Sequence, residues 1–156
     1  MLEIDIPGFG FVRLEHLVSD FTGTLSVDGR LLSGVKEILN NVARVVKLHV
    51  VTADTFSTAR GALEGVECAL TVLSGEVIDM QKELYVRDLG AECVIAIGNG
   101  NNDRKMLTAA RIGIAVIEGE GCSLNAILSA EIVVRSIHDG MGLLLNPQWL
   151  KATLRI

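Results

Sequence analysis

Short apolar runs rich in β-branched residues alternate with longer, helix-like segments along most of this chain of 156 residues. Strands of this kind that alternate with helices are typical of a parallel sheet covered by helices on both faces. We therefore expect an α/β fold, a doubly wound, Rossmann-like parallel sheet. The strands of this sheet are predicted at residues 16–19, 45–51, 69–73, 93–97, 112–117 and 132–134.

Helices are predicted between these strands, and a β-hairpin is predicted before them. The hairpin would pair residues 2–6 with 9–14 around Pro7 and Gly8, as a decoration at the edge of the fold. The tail from Asp139 onward looks helical apart from Pro147. The other helices are predicted at 34–42, 56–63, 77–89, 103–110 and 123–130.

The length and a hydrophobic content of 49% suit one domain over residues 1–156. No apolar run approaches the roughly 18 residues of a membrane span, and the acidic start of the chain is unlike a secretory signal. The odd number of cysteines, Cys68, Cys93 and Cys122, favours buried, reduced thiols. We therefore expect a cytoplasmic address and no membrane partner. A net charge of -5 argues against nucleic acid as a partner.

Polar residues follow three of the predicted strands at their carboxyl ends. Asp20 follows the first strand, Thr52 the second, and Gly98-Asn99-Gly100 the fourth. In doubly wound sheets ligands bind outside the carboxyl ends of the strands, near the point where the strand order reverses. The three loops are therefore expected to converge on one crevice.

The loop after Asp20 could hold an anion beside a carboxylate. An isolated Asp there could equally cap a helix or form a turn. Gly23, however, permits a tight bend, and amide N–H groups of residues 22–25 are expected to point into the loop. A carboxylate that faces a phosphate needs a divalent metal and a cation to offset the charge.

Thr52 and Lys82 are candidates for binding the anion. The Thr52 hydroxyl could donate to a phosphoryl oxygen or cap the next helix. Lys82 is the only lysine between Lys47 and Lys105, so it could supply the cation, although most lysines on helices are simply solvated.

The segment Gly98-Asn99-Gly100-Asn101-Asn102-Asp103 could bind a metal. The Asn99 amide oxygen and the Asp103 carboxylate are hard ligands that suit Mg²⁺. A dinucleotide-binding glycine turn is the alternative, but position 103 is Asp where that fingerprint needs a third Gly.

In this order, DxTGT, a strand that ends in Thr, a single Lys and GNGxND resemble the haloacid dehalogenase superfamily over residues 18–134. Residues 20–24 are similar to the DKTGT of P-type ATPases, and residues 98–103 to their GDGxND. The resemblance implies that Asp20 is a nucleophile that forms an aspartyl-phosphate. The implied catalytic residues are Asp20, Thr22, Thr52 and Lys82; the implied phosphate-binding residues are Gly23, Thr24, Thr52, Ala53, Lys82 and Asn102; the implied Mg²⁺ ligands are Asp20, the Thr22 carbonyl, Asn99 and Asp103.

Two positions depart from that superfamily's usual pattern. Thr22 stands where most of its phosphatases have an Asp that acts as general acid and base, which predicts slow turnover and a long-lived phosphoenzyme. Asn99 stands where an Asp ligand is usual, which predicts weaker metal binding. The short spacings from Asp20 to Thr52 and on to Lys82 leave no room for a cap domain.

The leading hypothesis is a Mg²⁺-dependent phosphatase or phosphohydrolase that acts on a small phosphomonoester or ATP, similar to a soluble P-type ATPase phosphorylation domain. Capless relatives often oligomerise, so that neighbours cover the site, or act on large substrates. The hairpin could supply the interface of such a homo-oligomer, a dimer or a tetramer. A catalytically weak phosphate-binding or regulatory module is the alternative, and a dinucleotide-binding domain is a third.

Overall fold

An antiparallel hairpin opens the fold, formed by β1 (Leu2–Ile6) and β2 (Gly10–Leu14). The computed structural model describes residues 1–53 and 58–156. The inward residues of the hairpin, among them Ile6, Val12 and Leu14, are buried in the same core cluster as the central sheet. The hairpin is therefore part of the core, and the expectation of an edge decoration is wrong. Alternating apolar residues bury one face of the ribbon, and that face must pack against something.

Six parallel strands form the central sheet of the described chain. After β3 (His16–Ser19), a small antiparallel pair, β4 (Ser26–Val27) and β5 (Arg30–Leu31), interrupts the alternation. The remaining strands of the sheet are β6 (Lys47–Thr52), β7 (Ala69–Val72), β8 (Val94–Gly98), β9 (Ile112–Val116) and β10 (Ile132–Val134). All six were predicted, with bounds that differ by at most two residues.

The helices also follow the prediction, with small differences at their ends. They are α1 (Val35–Ala43), α2 (Thr58–Ala62), α3 (Ile78–Asp88), α4 (Arg104–Ala109), α5 (Leu124–Leu128), α6 (Ile137–Leu145) and α7 (Pro147–Leu154). The predicted start of the second helix at Phe56 lies outside the described residues. The α5 helix begins one residue later than predicted because the Ser123 side chain caps it and accepts a hydrogen bond from the Ala126 amide, and it ends two residues earlier than predicted.

The order of the strands across the sheet is β10-β9-β8-β3-β6-β7. The chain runs outward from β3 to β7 and then returns to the other side of β3 to form β8. The order therefore reverses between β3 and β8, where Ser19 pairs with Ile97. Ligands of doubly wound sheets bind at such a reversal.

The inner strands β6, β8 and β9 bury both of their faces over nearly their whole length, as parallel strands with helices on either side do. Leu17, Val50 and Ile97 face the cluster that contains the buried residues of α1, α6 and α7. Their neighbours Val18 and Val51 face a second cluster, which includes residues of α3, α4 and α5. The predicted doubly wound α/β architecture is confirmed.

The three cysteines are free thiols, as predicted, but each is partly exposed rather than buried. A search of the described residues finds no helix with the length and apolar character needed to cross a bilayer.

Candidate functional site

A cavity of about 550 Å³ opens at the carboxyl edge of the sheet, over the reversal between β3 and β8. Loops that follow β3, β6, β8 and β9 surround it. Its lining residues are Asp20, Thr22, Thr52, Ala53, Asn99, Gly100, Asn101, Asn102 and Glu120. The convergence of the three predicted loops on one crevice is confirmed. The fourth loop, which carries Glu120, was not anticipated.

Asp20 lies at the floor of this cavity, directly after β3. Its backbone N–H donates to the Ile97 carbonyl at 3.0 Å, which extends the pairing of β3 with β8 and fixes the residue between the two strands. Its side chain is buried, and Oδ1 accepts a hydrogen bond from Lys82 Nζ at 2.7 Å. Oδ2 lies 3.4 Å from the Thr24 hydroxyl. A carboxylate is thus held with its oxygens in fixed directions beside the cavity.

Lys82 is fully buried on α3 and bridges two carboxylates. Nζ donates to Asp20 Oδ1 and to Asp103 Oδ1, each at 2.7 Å, and lies 3.4 Å from Asn102 Oδ1. Burial by itself would lower the pKa of Lys82, but the two carboxylates outweigh burial and raise that pKa above its ordinary value. The structure therefore excludes the interpretation of Lys82 as a solvated helix residue and makes it the fixed cation of the site.

The electrostatic balance at the floor of the cavity is negative. Burial, and then the charge of Asp103, raise the pKa of Asp20 to about 7, although Lys82 acts in the opposite direction. Two carboxylates that share one ammonium leave one negative charge uncompensated when both are ionised. A proton or a bound cation must offset that charge, because an unpaired charge is costly at a buried site.

Asp103 organises the loop that follows β8. Its Oδ2 accepts hydrogen bonds from the backbone amides of Asn99 at 3.0 Å and Gly100 at 2.8 Å, while Oδ1 binds Lys82. A Cβ at position 98 would lie 2.5 Å from Asp103 Cγ, so only glycine leaves room for this carboxylate. Asp103 is fully buried behind Lys82 and does not line the cavity.

The loop after Asp20 differs from the prediction in the use of its amides. Gly23 N donates to Ser26 O, and the amides of Thr24 and Leu25 both donate to Phe21 O. The expectation that these amides point free into the loop to hold an anion is therefore wrong for residues 23–25. They close a tight turn instead, which leaves Thr22 as the residue of this turn that lines the cavity.

Gly23 is required at that turn for two reasons. Its φ of +78° lies in the left-handed region, and a Cβ there would be 2.4 Å from Asn99 Nδ2. The turn after β3 and the loop after β8 are therefore in direct contact.

Asn99 links three of the loops that form the crevice. Oδ1 accepts a hydrogen bond from the Thr24 hydroxyl at 3.2 Å, and Nδ2 donates to Gly121 O at 3.1 Å. Its backbone carbonyl accepts from Ser123 N at 2.8 Å. An aspartate at this position would lack the N–H donor, so the departure from the usual Asp has a structural counterpart: the amide ties down the loop after β9.

Glu120, the residue that sequence reasoning missed, lies in that tied loop. The loop turns at residues 118–121, where Gly121 N donates to Glu118 O at 2.8 Å. Within the described part of the chain, the Glu120 side chain has no hydrogen bond or ion pair. The available signal was its place after the carboxyl end of the fifth predicted strand, the same rule that singled out the other three loops.

The donor set of the cavity suits a hard divalent cation. Asp20, Thr22 and Asn99 all line it and offer carboxylate, carbonyl and amide oxygens. No group of three or more His, Cys, Asp or Glu side chains that could hold a metal occurs among the described residues. Mg²⁺, however, is commonly held by one or two carboxylates together with water and substrate oxygens. The uncompensated charge beside Asp20 favours the same kind of ion.

The characterised sequence relatives are a phosphatase and an ion pump. The chain is 35% identical over 108 residues to a phosphoserine phosphatase of Lactococcus lactis, which covers 64% of this chain and 50% of that protein. It is 32% identical over 114 residues to a probable copper-exporting P-type ATPase of Archaeoglobus fulgidus, which covers 72% of this chain and 14% of the pump. The chain therefore spans half or less of each of these relatives.

A third relative has no known activity. An uncharacterised protein of Methanocaldococcus jannaschii is 55% identical over 62 residues, which are 40% of this chain and 67% of that protein. No family model matches the chain.

Solved structures share the fold over nearly the whole chain. One is a 3-deoxy-D-manno-octulosonate 8-phosphate phosphatase from Moraxella catarrhalis in complex with magnesium, phosphate and the sugar acid, with a TM-score of 0.70, 14% identity, and coverage of 91% of this chain and 94% of the other. The cobalt-bound phosphatase of the same name from Haemophilus influenzae has a TM-score of 0.70, 11% identity, and coverage of 92% and 94%. At such identities the likeness establishes the fold.

The strand order, the motifs at the strand ends and these relatives agree with one another. The fold is that of the solved phosphatases. The chain therefore has the fold of haloacid dehalogenase superfamily phosphatases and is similar in sequence to a phosphatase and a P-type ATPase.

Proposed function

We propose that this chain is a Mg²⁺-dependent phosphohydrolase that forms an aspartyl-phosphate on Asp20. The observation that carries the proposal is the buried Asp20 carboxylate, held by Lys82 at 2.7 Å at the floor of an open cavity. The likeness to phosphatases of the superfamily supports a hydrolase.

The reaction would proceed in two displacements. A carboxylate oxygen of Asp20 attacks the phosphorus in line, the P–O bond of the ester breaks, and the leaving oxygen takes a proton from solvent. Water then attacks the phosphorus of the acyl-phosphate, gives up a proton to solvent, releases inorganic phosphate and restores the Asp20 carboxylate. Such transfers depend mainly on positioning and on charge neutralisation.

The residues of the chain divide these tasks. Lys82 and the Thr52 hydroxyl, at the end of β6, would bind phosphoryl oxygens, while Asp103 keeps the loop after β8 and Lys82 in place. A divalent cation bound by Asp20, the Thr22 carbonyl and Asn99 would neutralise charge on the phosphoryl group. Asp103 would contribute to such a site through its negative charge from behind Lys82.

Thr22 makes proton transfer the weak point of this site. A hydroxyl does not exchange protons efficiently near neutral pH, and the loss of a general acid or base costs about 10²–10⁴-fold in rate. Esters with good leaving groups need little help from an acid, so aryl phosphates should react faster than alkyl phosphates. Hydrolysis of the acyl-phosphate on Asp20 should be slow.

The test is hydrolysis of p-nitrophenyl phosphate with and without Mg²⁺. The wild type should release phosphate only with the metal, and Asp20→Asn should abolish the release. Asp5→Asn, an exposed residue of β1, is the matched control and should behave as the wild type. Mass spectrometry of acid-quenched protein should locate the phosphate on Asp20.

Activity that persists in Asp20→Asn would refute the nucleophilic role. The alternative, a phosphate-binding or regulatory module, is favoured by the presence of Thr22 and Asn99 in the cavity. It predicts that beryllofluoride with Mg²⁺ raises the melting temperature of a protein that shows no turnover.

A further inference from the structure

The floor of the cavity has a positively charged side chain beside it, whereas the described residues of the remaining lining include none. At the floor, Lys82 is already shared between Asp20 and Asp103. Along the rest of the lining, the described residues include no lysine or arginine. A second phosphate or a carboxylate on the substrate would therefore find no cationic side chain to pair with among the described lining residues.

Glu120 adds a negative charge to the lining of the cavity, on the loop after β9. It is exposed, it lines the cavity, and among the described residues no partner neutralises it. A carboxylate with no protein partner can interact with a ligand without first breaking an existing contact.

The loop that carries Glu120 is held in place. Its neighbour Gly121 accepts a hydrogen bond from Asn99 Nδ2 at 3.1 Å, and the Asn99 carbonyl accepts from Ser123 N at 2.8 Å. The backbone that carries Glu120 is thus fixed relative to the loop after β8, which forms another wall of the same cavity. A charge carried on an anchored backbone stays beside the cavity, where it attracts cationic ligands and repels anionic ones.

We infer that Glu120 selects the leaving group: the substrate is a phosphomonoester whose alcohol carries an amine or is uncharged, and polyphosphates such as ATP and carboxylated phosphoesters are disfavoured. The inference rests on the proposed phosphohydrolase function, because it assumes that the phosphoryl group binds at Asp20. It narrows the choice between a phosphomonoester and ATP that the motifs leave open.

The test uses phosphonates, which bind like phosphate esters but have a P–C bond that is not hydrolysed. Aminoethylphosphonate, propylphosphonate and phosphonopropionate are similar in size and carry a positive, a neutral and a negative tail. Their affinities for the wild type with Mg²⁺ would be measured by calorimetry at low ionic strength, since salt screens such a charge. Glu120→Gln removes the charge and keeps the shape. Glu92→Gln, an exposed residue at the opposite end of the sheet before β8, is the matched control.

We expect the wild type to bind the amine about fivefold more tightly than the neutral phosphonate, the size of a typical exposed charge pair. In Glu120→Gln this preference should vanish, and phosphonopropionate should bind about fivefold more tightly than it does to the wild type. Glu92→Gln should keep the wild-type ratios. Equal ratios in the wild type and Glu120→Gln, or tighter binding of the acid by the wild type, would overturn the inference.

The outcome separates this inference from the proposed function. Suppose that hydrolysis of p-nitrophenyl phosphate depends on Asp20 but Glu120→Gln leaves the ratios of the phosphonate affinities unchanged. This result refutes only the selection by Glu120 and leaves the phosphohydrolase standing. Ratios that shift with Glu120 in a protein without hydrolysis support the selection and refute the phosphohydrolase. If none of the phosphonates binds, the selection by Glu120 is refuted, and the hydrolysis of p-nitrophenyl phosphate decides the proposed phosphohydrolase separately.

Discussion

Two buried carboxylates depend on one ammonium group in this structure. Removal of one partner of a buried ion pair leaves an uncompensated charge, which costs about 3–5 kcal/mol. Lys82→Met should therefore lower the free energy of unfolding of the metal-free protein by about that amount at pH 8. Chemical denaturation in the presence of a chelator would measure it.

Asp20→Asn should have the opposite effect on the metal-free protein. The pKa of Asp20 is raised to about 7 in the folded state, so the group favours folding at low pH and this contribution is lost as pH rises from its ordinary 3.8 through about 7. Above pH 7 the variant keeps a balanced Lys82–Asp103 pair and should be at least as stable as the wild type, with a flatter pH profile between pH 4 and 7. A variant less stable than the wild type at pH 8 would show that the carboxylate is not electrostatically strained.

At the scale of the elements, a row of three hydrogen-bonded side chains joins α3 to the sheet. His16 Nδ1 on β3 lies 2.9 Å from His49 Nε2 on β6, and His49 Nδ1 lies 2.9 Å from the Tyr85 hydroxyl on α3. Tyr85 follows Lys82 by about one helical turn, so the two side chains share a face of the helix. The row therefore helps to fix the helix that carries the cation of the site.

This row of side chains should make stability depend on pH. Burial, and then the charges of His16 and Lys47, lower the pKa of His49 to about 4. The folded state thus disfavours the proton, and the stabilisation by neutral His49 is complete above its ordinary 6.5 and is lost as pH falls from there to about 4. As pH falls over that range, the melting temperature of His49→Gln should decrease less than that of the wild type. Each kcal/mol of stability that His49 loses corresponds to roughly 2–4 °C in melting temperature.

The control compares the wild type and His49→Gln at pH 8, where neither the histidine nor the glutamine at position 49 carries a proton charge. The difference between their melting temperatures at that pH reports only the changed contacts. Parallel melting profiles between pH 6.5 and 4 would contradict the role of His49. Asp20 titrates in an overlapping range with the opposite sign, so only the difference between the two proteins is informative.

Much of the site could be predicted from the rule that ligands bind at the carboxyl ends of parallel strands, because the rule depends only on where apolar runs stop. From the sequence alone it placed Asp20, Thr52 and Asn99 at one crevice, where the structure has them. It could not predict that the amides after Asp20 would be used within their own turn, since hydrogen bonding in a turn depends on its dihedral angles. Glu120 was missed because no motif marks it, and the core position of the hairpin depends on contacts with a helix distant in sequence.

For the molecule as a whole, one core connects the hairpin, the sheet and the last helix. Leu150 of α7 is fully buried in the cluster that also holds Ile6 of β1 and Leu17 of β3. Arg111 Nη2 and Ile156 N donate to carbonyls of the turn between β1 and β2. We propose on this basis that residues 1–156 form a single cooperative domain.

Leu150→Ala should destabilise that domain by about 2–5 kcal/mol, because a buried leucine leaves a cavity. Thr153→Ala, at an exposed position of the same helix, should change stability by no more than about 0.5 kcal/mol. The fluorescence of Trp149, the single tryptophan, and far-ultraviolet circular dichroism should report the same transition in all three proteins. A fluorescence transition that precedes the loss of helix would show that the hairpin and α7 unfold separately.

The bond from Gly100 N to Asp103 Oδ2 has a consequence for how the protein ages. In a flexible Asn-Gly pair the glycine nitrogen attacks the side-chain amide carbon, and the resulting succinimide opens to aspartate or isoaspartate. Here that nitrogen is held by a carboxylate, and the Asn99 amide is engaged with Gly121 O. Folding thus protects Asn99 from deamidation, and a molecule that opened at this loop would slowly acquire aspartate or isoaspartate at this position.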